Sequence, residues 1–72
     1  MIKTIYSNSQ VNLVERLKQA RKEAGLNQVE VAVLLRKTQS YISKIESGQR
    51  RIDVVQLKEF AKIYKKSIDF FI

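Results

Sequence analysis

Apolar residues in the first third of this chain recur at the spacing of one face of an α-helix. Four of them, separated by four, three and four positions, share the predicted inward face: Leu13, Leu17, Ala20 and Ala24. Ser9 is a candidate N-cap, and Gly25 is suited to the left-handed residue that follows a helix. The pattern therefore predicts a first helix over about residues 10–24.

Three further helices are predicted, each opened by a polar capping residue. Asn27 can cap a helix over about residues 28–36, and Thr38 can cap one over about residues 39–47, which Gly48 would end. Asp53 followed by Gln56 resembles the capping box of a fourth helix that extends to about residue 65. The residues predicted to face inward are Val31, Ala32, Leu35, Ile42, Ile45, Leu57, Phe60, Ala61 and Tyr64.

The two ends of the chain complete the predicted domain organisation. Ser67 can cap a short fifth helix with apolar residues Ile68, Phe71 and Ile72, giving an all-α domain of five helices over residues 10–72. Residues 1–9 are predicted to form an N-terminal arm, whose sequence is compatible with either a short strand or a disordered segment.

Composition excludes several classes of function. The 72 residues contain no Cys and no His, so disulfides, the usual zinc ligands and the commonest general base are all missing. The seven carboxylates form no pattern typical of an active site, and no segment approaches the roughly 20 apolar residues that cross a bilayer. We therefore expect a soluble, cytoplasmic, non-enzymatic protein with no metal and no cofactor.

Positive charge is in excess and is concentrated in one segment. Fourteen Lys and Arg residues against seven Asp and Glu give a formal net charge of +7. Between Arg36 and Arg51 there are five cations and one anion, Glu46. A solvated surface is one explanation, but the clustering favours a polyanionic partner.

Helices 2 and 3 are separated by only Arg36–Thr38. Two helices that close in sequence must cross steeply, which predicts a helix-turn-helix over residues 28–47. In such a unit the second helix enters the major groove of DNA with its N-terminal side chains at the base edges. Gln39, Ser40, Ser43 and Lys44 are the candidate base contacts, since Gln can pair with adenine and Lys with guanine.

The residues of this segment also carry a family resemblance. Leu26-Asn27-Gln28, Ala32, Leu35, the run from Thr38 to Glu46 and Gly48 resemble the Cro and lambda-repressor-like family, also called the XRE family. The resemblance covers about residues 13–72. It implies a five-helix domain that binds double-stranded DNA, usually as a dimer, and we expect a transcriptional repressor that acts on a palindromic operator.

The remaining site residues divide into phosphate contacts, an ion pair and an interface. The predicted phosphate contacts are Gln28, Arg36, Lys37, Thr38, Tyr41, Gln49, Arg50 and Arg51. The family often has Gly and an apolar residue where this chain has Arg36 and Lys37, so Arg36 is expected to adopt a costly left-handed backbone. The resemblance also implies a bridge between Arg21 and Glu46, and Phe70 is the expected dimer contact.

Two alternatives follow from the same sequence. The apolar C-terminal residues Ile68, Phe70, Phe71 and Ile72 are compatible with a protein-binding module, such as an antitoxin that binds a toxin or other regulator as well as its own promoter. A basic amphipathic membrane-surface protein is the weaker alternative, because the cations are not confined to one helix face.

Overall fold

The computed structural model describes the backbone of residues 2–72 and the side chains of residues 12–72. Within these residues the chain forms four α-helices and one 3-10 turn, with no strand. The helices are α1 (Ile2–Glu23), α2 (Gln28–Leu35), α3 (Gln39–Glu46) and α4 (Val54–Tyr64), and the 3-10 turn is Ile68–Phe70.

Helix α1 differs from the prediction at both ends. It begins at Ile2 instead of near residue 10, so Ser9 lies within the helix and is not its N-cap. Ala24, predicted to face inward, follows the last helical residue and is exposed. The predicted N-terminal arm covers residues 1–9, and the backbone of residues 2–9 forms the first part of α1 instead of a strand or a disordered segment. No side chain is described there, and the separation of the arm as a unit stays a prediction. Gly25 follows α1 with a left-handed φ of +73°, as expected.

Local side-chain bonds fix the starts of the other three α-helices. Asn27 and Glu30 form a reciprocal capping box at α2, with both hydrogen bonds at 2.8 Å. The Thr38 hydroxyl accepts from the Tyr41 N–H at 3.1 Å at the start of α3. Asp53 and Gln56 form the predicted capping box of α4. The predicted starts of α2, α3 and α4 are therefore confirmed.

The predicted fifth helix is not confirmed as an α-helix, and the structure has only a short 3-10 segment in its place. Ile68–Phe70 is a single 3-10 turn, in which the Phe70 N–H donates to the Ser67 carbonyl and the Phe71 N–H donates to the Ile68 carbonyl. Ser67 makes no side-chain capping bond. Three residues are too few for a run of α-helical bonds, and 3-10 geometry is typical of such short segments.

The helices share one hydrophobic core, and one face of α3 packs into it. The buried apolar residues are Leu17, Ala20, Val31, Ala32, Ile42, Ile45, Leu57, Phe60, Ala61, Tyr64 and Phe71. Helix α3 packs against both α2 and α1. Because Ile42 and Ile45 are almost fully buried, rotation of α3 about its axis would expose them, and the orientation of its other face is fixed.

Candidate nucleic-acid interface

Helix α3 has one buried face and one exposed polar face. The four predicted base contacts are all exposed: Gln39, Ser40, Ser43 and Lys44. They follow one another at steps of one, three and one positions, so they span an arc of about 140° on a helix with 3.6 residues per turn. Ile42 and Ile45 lie on the opposite face. The sequence therefore presents a continuous polar strip, backed by the core.

The turn before α3 is held by a left-handed residue. Arg36 has φ +58° and ψ +44°, and the next N–H, that of Lys37, donates to the Ala32 carbonyl at 2.8 Å. This bond is the 6→1 closure that follows a helix ending in the left-handed conformation. The expected backbone of Arg36 is confirmed, and both cations of the turn are exposed.

Two cations from different segments meet at one aromatic ring. The Lys37 Nζ lies 5.2 Å from the centroid of the Tyr41 ring, and the Arg50 guanidinium lies 4.9 Å from it. We call Lys37, Tyr41 and Arg50 the cationic corner. Burial raises the pKa of the Tyr41 hydroxyl, with Arg50 opposing the shift. The hydroxyl therefore stays protonated at neutral pH and can donate a hydrogen bond.

The other predicted phosphate contacts surround α3. Thr38 uses its hydroxyl oxygen to cap the helix, which leaves the hydroxyl hydrogen available as a donor. Gln49 and Arg51 are exposed in the loop after α3. Gln28 differs from the others because it is half-buried and its Nε2 donates to Glu46 Oε1 at 3.1 Å. One of its two amide hydrogens is thus already engaged within the chain.

A charged pair joins α1 to the end of α3. The Arg21 Nε donates to Glu46 Oε2 at 2.8 Å, and a second guanidinium nitrogen donates to Oε1 at 3.2 Å. A third nitrogen donates to the Leu26 carbonyl at 3.0 Å. The Glu46 side chain is only 5% exposed. With the Gln28 amide, two Arg21 nitrogens therefore give the buried carboxylate three donors, which tie the C-terminal end of α3 to α1 and to the first residue of α2.

A buried hydroxyl lies close to this pair. Burial raises the pKa of Tyr64, and the Glu46 carboxylate adds to the shift. Within the described part of the chain the hydroxyl has no hydrogen-bond partner. The phenol is therefore neutral at physiological pH.

Comparison with known families decides the identity of this fold. Residues 17–71 match the family model described as helix-turn-helix, which includes α2, the turn and α3. The chain belongs to the Cro and lambda-repressor-like, or XRE, helix-turn-helix family. This is a family of DNA-binding transcription regulators. No match was found among curated proteins.

Neither a metal-binding cluster nor a membrane-spanning helix is found in the described part of this XRE-family chain. Over the residues with described side chains, no cluster of three His, Cys, Asp or Glu is placed to hold a metal ion. No helix in the described region is both long and apolar enough to cross a membrane.

The predicted dimer contact packs within its own chain on several sides. The half-buried Phe70 ring has the Lys66 Nζ 4.7 Å and the Arg16 guanidinium 5.3 Å from its centroid. The Phe71 ring meets it edge-on at 5.2 Å. Phe71 is buried in the core. The contact from Arg16 was not predicted, because Arg16 and Phe70 are far apart in sequence and no local pattern links them.

Proposed function

We propose that this chain is a transcriptional repressor domain that binds double-stranded DNA sequence-specifically, as a homodimer on a palindromic operator. The observation that carries the proposal is the division of α3 into an anchored face and an exposed strip of four polar side chains. A helix anchored in this way can present the strip to base edges without reorganisation on binding.

The chemistry of the strip assigns roles to its residues. Gln39 lies in the first turn of α3, where its amide can donate to and accept from adenine. Lys44, just over one turn later, suits guanine O6 and N7 or a phosphate. Ser40 and Ser43 can each donate or accept, so they contact several bases with little discrimination.

The groups that flank the strip supply the sequence-independent part of the binding. The cationic corner places the Lys37 ammonium, the Arg50 guanidinium and the neutral Tyr41 hydroxyl at one edge of α3. Charge-assisted bonds from such groups to phosphate oxygens position a protein on duplex DNA. The remaining proposed phosphate contacts are Gln28, Arg36, Thr38, Gln49 and Arg51.

Dimerisation follows from the size of the strip. One helix reads about four or five base pairs, which is too few to select one site among roughly 10⁶ or more competitors. Two copies of α3 about 34 Å apart would read two half-sites separated by one helical turn of DNA. We place the interface at Phe70. Sedimentation on operator DNA should give two chains per site, and a lone chain on the operator would contradict the homodimer.

Salt dependence tests DNA binding itself. Each neutralised phosphate contributes about −0.9 to the slope of log affinity against log salt concentration. Contacts at the cationic corner and the turn should therefore give a steep negative slope for any duplex DNA, measured by fluorescence anisotropy. A slope near zero would contradict the proposed phosphate contacts.

A further inference from the structure

An apolar groove lies beside the proposed DNA contacts and shares Arg50 and Arg51 with them. It has a volume of about 630 Å³ and opens to solvent between α1, the loop after α3 and the C-terminal residues. Its apolar lining includes the partly or fully exposed Leu13, Val14, Ile52 and Ile72, together with the buried Leu17, Ile45 and Phe71. A groove of this size is large enough for several apolar side chains of a bound segment.

The charged residues at this groove all have the same sign. Arg16, Arg50 and Arg51 line it, and no Asp or Glu does among the residues with described side chains. Arg16 and Arg50 are exposed, and each lies over an aromatic ring outside the apolar lining, Phe70 and Tyr41 respectively. A guanidinium over a ring keeps its N–H donors in its own plane, where a carboxylate can accept from them.

We propose that this groove binds an acidic amphipathic segment of a partner protein. Apolar side chains of the segment occupy the lining, and its carboxylates pair with Arg16 and Arg50. The half-open shape fits a helix or extended segment laid along a surface better than an enclosed small molecule.

The proposed partner competes with DNA. Arg50 belongs both to the groove and to the cationic corner, so a partner carboxylate and a DNA phosphate would compete for its N–H donors and repel each other there. By linkage, the partner lowers the affinity for DNA by the same factor as DNA lowers the affinity for the partner. This competition rests on the DNA binding proposed above, whereas the binding of the segment does not.

The test is selection of a phage-displayed library of random linear peptides on the full chain, without DNA. Enriched peptides should combine Asp or Glu with Leu, Ile or Phe. Val14→Asp and Arg16→Glu should each weaken a selected synthetic peptide at least tenfold by anisotropy. The controls Val33→Asp and Lys58→Glu, at exposed positions outside the groove, should change its affinity less than twofold.

Circular dichroism establishes that each variant remains folded. In a separate competition experiment, the selected peptide should displace labelled duplex DNA from the wild-type chain. Failure to enrich acidic apolar peptides overturns the proposal. Equal loss in groove and control variants also overturns it. So does a wild-type dimer, seen by sedimentation, that Val14→Asp converts to a monomer, because the groove is then occupied by a second copy of the chain. A peptide that binds the groove but leaves DNA bound overturns the competition alone.

Discussion

Removing the carboxylate of Glu46 should destabilise the domain strongly, because it leaves the largely buried Arg21 without its charged partner. In Glu46→Leu the Arg21 guanidinium keeps only its bond to the Leu26 carbonyl, and the Gln28 amide loses its acceptor. A buried cation without its partner carries an uncompensated desolvation cost. Arg21→Met should be destabilising for the corresponding reason, because the buried Glu46 carboxylate then keeps only the hydrogen bond from the Gln28 amide.

The magnitude follows from burial. Breaking one side of a buried pair typically costs about 3–5 kcal/mol. The Arg21 side chain is 14% exposed and that of Glu46 is 5% exposed, so we expect the lower end, about 3 kcal/mol, for each single variant. At about 0.05–0.15 kcal/mol per residue the whole domain is stable by about 4–11 kcal/mol. Each variant therefore loses a large part of the free energy of unfolding.

A double-mutant cycle measures the coupling free energy between Arg21 and Glu46, with the stability of each variant taken from urea unfolding monitored by circular dichroism. The variant Arg21→Met/Glu46→Leu should lose at least about 2 kcal/mol less than the sum of the single variants, since no charge is left unpaired. The exposed pair Glu15 and Lys18, 3.2 Å apart, provides the control. Its coupling should be below about 0.5 kcal/mol. Additive losses in the Arg21 and Glu46 cycle would refute the reasoning.

Two other predictions concern backbone strain and pH. Arg36→Gly should raise the free energy of unfolding by about 1 kcal/mol and weaken DNA binding, because φ is +58° there. Lys65→Gly, at φ +57°, should give the same gain with unchanged DNA affinity; a loss of stability in either variant would contradict the strain. The Lys66 Nζ, 2.6 Å from the Glu23 carboxylate, holds the pKa of Glu23 below its ordinary value of 4.5. The resulting stabilisation is present above the unfolded-state pKa and is lost as pH falls through the lower folded-state pKa. An NMR titration should show the Glu23 pKa rise in Lys66→Met, and an unchanged pKa would contradict the assigned cause.

Much of the fold could be predicted because its signals are local. The starts of α2, α3 and α4 depend on side chains that bond to backbone groups three residues away, and the sequence displays that spacing directly. The exposed strip on α3 likewise follows from helical periodicity. The left-handed turn at Arg36 was predicted from the family pattern, which has Gly at that position.

The wrong helix boundaries and the missed contacts arise where the spacing of residues along the sequence does not determine the structure. The apolar periodicity of α1 continues to Ala24, one position beyond the last helical residue, Glu23. Ser67 has the right residue type for a cap, yet the chain after it forms only one 3-10 turn. The bond from Gln28 to Glu46 and the groove beside α1 join residues far apart in sequence. No pattern within one helix reports such contacts.

The central claim is that α3 reads DNA sequence while the cations around it hold the phosphate backbone. The most direct test compares Gln39→Ala with Arg50→Ala, on a site selected from random DNA and on random DNA itself. Gln39→Ala should cost about 1–3 kcal/mol of binding on the selected site and much less on random DNA, since its amide contacts a base. Arg50→Ala should weaken both about equally, because phosphates carry no sequence information. Equal weakening of both DNAs by Gln39→Ala would contradict the claim that α3 reads the bases.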